Sequence, residues 1–212
     1  MRGKGRKRCV WRNLPAILPP RLGKPTLTGR GRSSIRRLFV VKTLIIYCSK
    51  TGFTRKYAQW LREDLDCDCV PFSERNSADL ARYGAVAFGS GCYVGRIHRL
   101  GWFKRQMPGL EGKKLAVFFT GAMSPDPSDV RRLERENFSP RELCRVKTFY
   151  LQGGLNYGGM NPVDKALMAV FRQALRSKSD SPRCRVMLQN IGQSFDKTER
   201  ENLGPLEEYL KS

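Results

Sequence analysis

Three short apolar runs constrain this 212-residue chain most: Thr43-Leu44-Ile45-Ile46-Tyr47, Ala85-Val86-Ala87-Phe88 and Leu115-Ala116-Val117-Phe118-Phe119. None alternates with polar residues, so each reads as a strand buried on both faces. Each gives way at its carboxyl end to small residues: Ser49 to Gly52, Gly89-Ser90-Gly91, and Thr120-Gly121. Two weaker strands, Cys69 to Phe72 and Lys147 to Leu151, complete the set, the second ending at Gly153-Gly154. Helical spacing fills the intervals. Thr54 is the expected N-cap of a helix over residues 55–65, and Ala78 to Tyr83 reads as a short helix. Leu100 to Met107 is helical up to Pro108-Gly109. Asp126 or Ser128 caps a helix to about Glu136. Asn161 caps one opening at Pro162, with Val163, Leu167, Met168, Val170, Phe171 and Leu175 on its apolar side. Residues 176–190 are polar and irregular. Asp196 is expected to cap a last helix through Leu210, bent at Gly204-Pro205. Strands alternating with helices imply an α/β three-layer sandwich around a parallel sheet. Five strands suit the order 2-1-3-4-5, in which ligands bind beyond the carboxyl ends, between the first and third strands.

The formal net charge of +21 is unevenly spread. Residues 1–40 hold twelve Lys and Arg and no acid, which leaves 28 basic against 19 acidic residues, or +9, in residues 41–212. Pro15, Pro19, Pro20 and Pro25 make regular structure in the first forty unexpected. That segment lacks the amphipathic pattern of a transit peptide. Arg36-Arg37 hints at a twin-arginine signal, but the apolar run behind it is too short. A nucleic-acid arm would rest on the charge alone, with no zinc-finger spacing or RNP-type motif, so no specific nucleic acid is expected. The preferred reading is a basic disordered tail that begins at a mis-assigned start. Arg36-Arg37 matches a translated AGGAGG, with Val40 or Val41 as a GTG start. The domain then occupies residues 41–212.

Seven cysteines with no CxxC pair argue against a disulfide framework and for a reducing, cytoplasmic setting. No apolar run reaches the length that spans a bilayer. His98 is the only histidine, which excludes multi-histidine metal sites, and no metal is expected. It lies in the loop after the third strand, either solvated or placed to donate a proton.

The residues after the first strand carry the strongest chemical signal. Ser49, Thr51 and Thr54 offer hydroxyls, Gly52 allows close approach to an anion, and the helix that follows adds its positive end. The spacing S-x-T-G-x-T lacks the lysine of a P-loop and the GxGxxG of dinucleotide folds. A capped helix with solvated hydroxyls would use the same residues.

Ser49-Lys50-Thr51-Gly52-Phe53-Thr54, directly after an apolar strand, resembles the phosphate loop of flavodoxins. The resemblance implies a flavodoxin-like fold and flavin mononucleotide (FMN) as cofactor, its phosphate held by Ser49, Thr51, Gly52 and Thr54, with Lys50 adding charge and Phe53 among the cofactor-binding residues of the same loop. Gly89-Ser90-Gly91-Cys92-Tyr93-Val94-Gly95 matches the loop that lies against the flavin ring in that family. It implies Tyr93 as stacking partner and Gly89, Ser90, Gly91 and Cys92 as contacts. Thr120, Gly121 and Ala122, with Gly153 and Gly154, would line the other side. Further along, Gly153-Gly154-Leu155-Asn156-Tyr157 and Val163-Asp164-Lys165-Ala166-Leu167-Met168 resemble the branch that includes menaquinone-dependent protoporphyrinogen IX dehydrogenase. That branch's first loop often carries residues other than Thr51-Gly52-Phe53-Thr54.

These resemblances imply an FMN-dependent oxidoreductase, protoporphyrinogen dehydrogenase-like, with a quinone acceptor. The alternative is a small electron-transfer carrier that shuttles between protein partners. Arg96, Arg99, Lys104 and Arg105 form a basic cluster beyond the flavin loop. Electron-carrying flavodoxins resemble one another in acidic surfaces there, so a basic rim suits a substrate carboxylate or a peripheral contact with an anionic membrane.

Overall fold

A computed structural model describes residues 42–160, 162–177, 188 and 193–212. The expected tail at residues 1–40 and the expected Asn161 cap lie outside these residues. Five parallel strands, β1 (Thr43–Cys48), β2 (Asp68–Pro71), β3 (Ala85–Tyr93), β4 (Lys114–Gly121) and β5 (Lys147–Gln152), pair in the order β2-β1-β3-β4-β5. This is the expected order. Six α-helices are described: α1 (Phe53–Leu65), α2 (Leu100–Gln106), α3 (Pro127–Asn137), α4 (Pro140–Leu143), α5 (Pro162–Arg176) and α6 (Gly204–Lys211).

The continuous apolar runs divide by parity between two cores. Leu44, Ile46, Val86, Phe88, Val117 and Phe119 face one layer, where Leu100, Phe103 and Leu133 of α2 and α3 cover them. Phe103 stacks on Phe88 with centroids 5.5 Å apart. Ile45, Ala85, Ala87, Ala116 and Phe118 face the other layer, under Tyr57, Ala58 and Leu61 of α1 and Leu206 and Leu210 of α6. Three alanines on that face let α1 sit close to the strands. With both faces covered, the middle of the sheet is fully buried, as in doubly covered parallel sheets.

Several local expectations differ from the structure. The stretch Ala78 to Tyr83 holds only a 3-10 turn at Leu80–Arg82, preceded by another at Phe72–Ser77. Asp79, rather than Ala78, leads it, by accepting the Ala81 N–H at 3.0 Å. Phe72 therefore leaves β2 and packs edge-on against Trp102 and Phe88. Asp196 does accept the Thr198 N–H at 2.8 Å, but it sits in a two-residue strand. A 3-10 turn at Arg200–Leu203 follows, and α6 starts afresh at Gly204 with Pro205 in its first turn. Gly204-Pro205 is thus a helix start, where a proline's missing N–H costs nothing. The helix α4 was not expected, although Ser139 and Glu142 form a full capping box.

After β5 the chain makes an excursion. Gly154–Leu155 pairs antiparallel with Phe195–Asp196, so residues 156–194 leave and return at the carboxyl end of the sheet. Gly154 is required there, because a Cβ would lie 2.0 Å from the Phe195 carbonyl oxygen. Lys197 N–H to Gly153 O (2.8 Å) and the Lys56–Asp196 ion pair (2.9 Å) tie the return to β5 and α1. Helix α5 belongs to this excursion. Among the described residues no helix is long and apolar enough to cross a membrane.

Candidate functional site

The loop between β1 and α1 sits where the sheet order turns, between β1 and β3. Gly52 holds φ +100°, a conformation L side chains rarely adopt, and a Cβ there would meet nothing within 4 Å. Its N–H donates to the Ser49 hydroxyl oxygen at 3.2 Å. The helical ladder of α1 begins with Lys56 N–H to Gly52 O at 3.0 Å, so the N–H groups of Phe53, Thr54 and Arg55 precede it. Ser49, Thr51 and this helix end gather hydroxyl and amide donors at one exposed corner.

Thr54 has a different place from the one its motif implied. The helix starts at Phe53, so Thr54 is inside its first turn rather than capping it. Its side chain is 2% exposed, and its hydroxyl shares a 2.9 Å hydrogen bond with Thr120. Thr54 therefore ties α1 to the end of β4. Phe53 points the other way. A Cβ on Gly153 would lie 3.3 Å from its Cβ, so Phe53 packs over Gly153 and Gly154 at the end of β5. Asn156 reaches back to donate to the Thr51 carbonyl oxygen at 3.3 Å.

The second wall is a hairpin that extends β3 beyond the sheet. Cys92 pairs with Ile97 and Tyr93 with Arg96 across a turn at Val94-Gly95. Val94 holds φ +49° and Gly95 φ +76°, the two positive values a type I′ turn needs. Buried Asn137 of α3 fixes this hairpin from behind. It donates to Gly95 O (2.7 Å) and Leu133 O (2.8 Å), and accepts from Ile97 N–H (2.9 Å). The Tyr93 ring lies over Gly91, where a Cβ would be 2.9 Å from it. Its hydroxyl reaches the Thr51 side chain and the Lys50 backbone, and burial raises its pKa. Lys50 Nζ sits 5.0 Å from the ring centroid, and His98 meets the ring edge-on at 6.0 Å.

Tyr93 thus brings the hairpin and the phosphate-loop candidate together. The remaining residues divide. Ser90 is fully buried and donates its hydroxyl to His98 O at 2.7 Å, so it shapes the loop. Gly89 is in the core, where the Phe118 ring occupies the space of a Cβ. Burial pushes the Cys92 thiol up to about 11, which keeps it protonated and a poor nucleophile. Gly121 accepts the Gly153 N–H at 2.8 Å and faces the Tyr150 ring. Ala122 follows it half-buried.

The electrostatics of the mouth are positive. Lys50 and Arg99 both act on Cys48 and on His98. The His98 imidazole lies below its ordinary value, first through burial, then through those two cations, with Asp164 of α5 opposing them. Arg96 donates to Glu136 O at 2.7 Å, and Lys104 is paired with Glu142 at 2.8 Å over the Phe138 ring. Lys104 therefore serves the contact of α2 with α4 rather than the rim. Asp164 and Asn156 were not expected at the mouth. Only their membership of the Gly153–Met168 stretch signalled them. Among the described residues, no group of three or more His, Cys, Asp or Glu gathers as a metal site.

A phosphate monoester fits these donors: open space at Gly52, a helix N-terminus, two hydroxyls and a nearby Lys50. The hairpin on one side and the Gly121–Ala122 and Gly153–Gly154 ends on the other flank this corner, with the Tyr93 ring over Gly91 and Phe53 over Gly153 and Gly154. The family model of the flavodoxin domain matches residues 44–181. Among solved structures, the chain is similar to a flavoprotein from Bacteroides uniformis (18% identity, TM-score 0.39, covering 53% of this chain and 91% of that one). It is similar to a flavoprotein from Lactobacillus acidophilus solved in complex with FMN (16%, 0.38, 53% and 92%). It also resembles a WrbA-like flavodoxin from Agrobacterium tumefaciens (16%, 0.37, 56% and 87%). No curated protein matches the chain.

Proposed function

The chain belongs to the flavodoxin domain family, and from that premise we propose that it is an FMN-dependent oxidoreductase. One observation carries the reading. An open, glycine-centred loop and a helix N-terminus stand at the β1–β3 switch, with the Tyr93 ring beside them. Ser49, Thr51 and the amides at the start of α1 hold the phosphate. Tyr93, Gly91 and the ends of β4 and β5 hold the ring. FAD would add an AMP half for which no binding motif is present, so FMN is the cofactor. Bound there, FMN accepts and gives electrons singly or in pairs. The protein's own part is positioning and proton handling. His98, kept neutral near pH 7 by burial and by Lys50 and Arg99, is a proton acceptor beside the ring site.

Two features favour turnover of a substrate over simple electron shuttling. The mouth is basic, at Lys50 and Arg99, whereas electron-carrying flavodoxins resemble one another in acidic mouths. The stretches at Gly153–Tyr157 and Asp164–Met168 resemble the protoporphyrinogen dehydrogenase branch, which favours an anionic substrate and a quinone acceptor. Purified protein with FMN, protoporphyrinogen and a soluble menaquinone analogue is expected to turn over. Shuttling between a reductase and cytochrome c without that turnover would make it a carrier instead.

A further inference from the structure

We propose that the exposed apolar stripe of α5, together with the Val94 turn, is a docking face for an anionic phospholipid bilayer. The large hydrophobic side chains that stand exposed among the described residues are Val94 (65%), Val163 (76%), Leu167 (45%) and Val170 (68%). Singly, such residues need no explanation. Here three of the four follow the spacing i, i+4, i+7 on one helix and so form one stripe. Of the fifteen residues of α5, only Leu175 is buried. Met168 and Phe171 are half-buried and Leu175 is buried, so Val163, Leu167 and Val170 form a second apolar row that stands exposed.

The fourth residue points to the same place. Val94 is β-branched and holds φ +49°, where Gly or Asn is far less strained. An observed strain at an exposed tip is a sign of use. Val94 directly follows Tyr93. Asp164, next to Val163, acts electrostatically on both Tyr93 and His98. The first turn of α5 and the hairpin therefore stand on the same side of the molecule, at the mouth.

The surrounding charge selects the occupant. Arg96, Arg99 and Arg105 are exposed on the hairpin and α2, against Glu136, whose carboxylate lies beside Gly95 in the turn, while Lys104 is taken up by Glu142. Helix α5 carries Lys165, Arg172 and Arg176 against Asp164. An apolar stripe flanked by basic side chains is the pattern of a helix lying in the headgroup region of an anionic bilayer. A second copy would bring two basic rims together and is disfavoured. The face would set the mouth against the lipid, where a lipid-soluble electron acceptor is concentrated. The docking goes beyond the flavin reading and is tested without it.

The test is co-sedimentation of the full chain with vesicles of equal parts phosphatidylcholine and phosphatidylglycerol. The comparison is the triple variant Val163→Gln, Leu167→Gln, Val170→Gln. It keeps every charge, including the twelve at residues 1–40, so any binding by those charges is common to both proteins. The changed side chains are exposed, and circular dichroism checks that the variant is folded. The variant's partition coefficient is expected to fall about tenfold or more. As a second readout, Leu167→Trp is expected to be quenched by brominated acyl chains beyond the wild-type level. Equal partition of wild type and triple variant, or no added quenching, would overturn the proposal. So would a concentration-dependent dimer in sedimentation velocity that the triple variant abolishes.

Discussion

At the level of single residues, two threonines in one short loop divide their work. Thr51, half-buried in the loop, meets the Tyr93 hydroxyl, while Thr54 turns inward to Thr120. Thr51→Ala is expected to weaken FMN about ten- to hundredfold, since a hydrogen bond to a charged group contributes about 1.5–3 kcal/mol. Riboflavin, which lacks the phosphate, should lose clearly less, only what the lost Thr51 contact to the Tyr93 hydroxyl costs. Thr54→Val should instead lower stability by about 1 kcal/mol with little change in flavin selectivity. Flavin fluorescence titrations and urea melts of the two variants measure both effects. The sequence motif names both threonines alike, because inward and outward positions in a helix's first turn depend on where the helix begins. Gly89 illustrates the same limit, since its need to be glycine comes from Phe118 on the neighbouring strand. His98 gives a separate check. Its folded pKa is lowered, so the unfolded chain takes up the proton first. The group's contribution to stability is present above about pH 6.5 and is lost as pH falls through the depressed folded value. As the only histidine it gives an unambiguous proton resonance, whose titration midpoint is expected below 6.5.

Among the secondary-structure elements, what the sequence made legible were the runs that depend on burial on both faces. Strands β1, β3 and β4 were readable because no polar residue interrupts them, and α1 because its apolar residues keep helical spacing. The 3-10 turns at Phe72–Ser77, Leu80–Arg82 and Arg200–Leu203 were not. Each is held by its own few side-chain bonds or by packing against a neighbour, which leaves no periodic trace. The hairpin after β3 was half legible: its glycines marked a loop, but its return strand depends on Asn137, about forty residues away in the chain. Asn137→Ala would leave the Ile97 N–H and the Gly95 carbonyl without that partner. It is expected to lower stability by about 1–3 kcal/mol and to weaken FMN and riboflavin alike, because the Tyr93 wall loosens. Urea denaturation and the same fluorescence titrations read both consequences. A variant that loses stability while both flavins bind unchanged would separate the hairpin from the ring site.

For the molecule as a whole, sheet order, loop position and charge converge on one end. The parallel sheet brings the ends of β1, β3, β4 and β5 together, and the excursion at residues 156–194 leaves and returns at that same end. Lys50 and Arg99 make the mouth positive, and α5 turns an apolar stripe outward. The net charge of +21 misleads on its own, because twelve of its positive residues fall in the first forty, where no acid offsets them. On the reading proposed above, this end holds FMN by its phosphate. Titration of the full-length protein with FMN and with riboflavin, followed by flavin fluorescence, tests it directly. Saturable FMN binding at micromolar concentrations or below is expected, with riboflavin at least about tenfold weaker, as loss of a charged hydrogen-bonding group requires. No FMN binding in that range, or equal affinity for the two flavins, would contradict it.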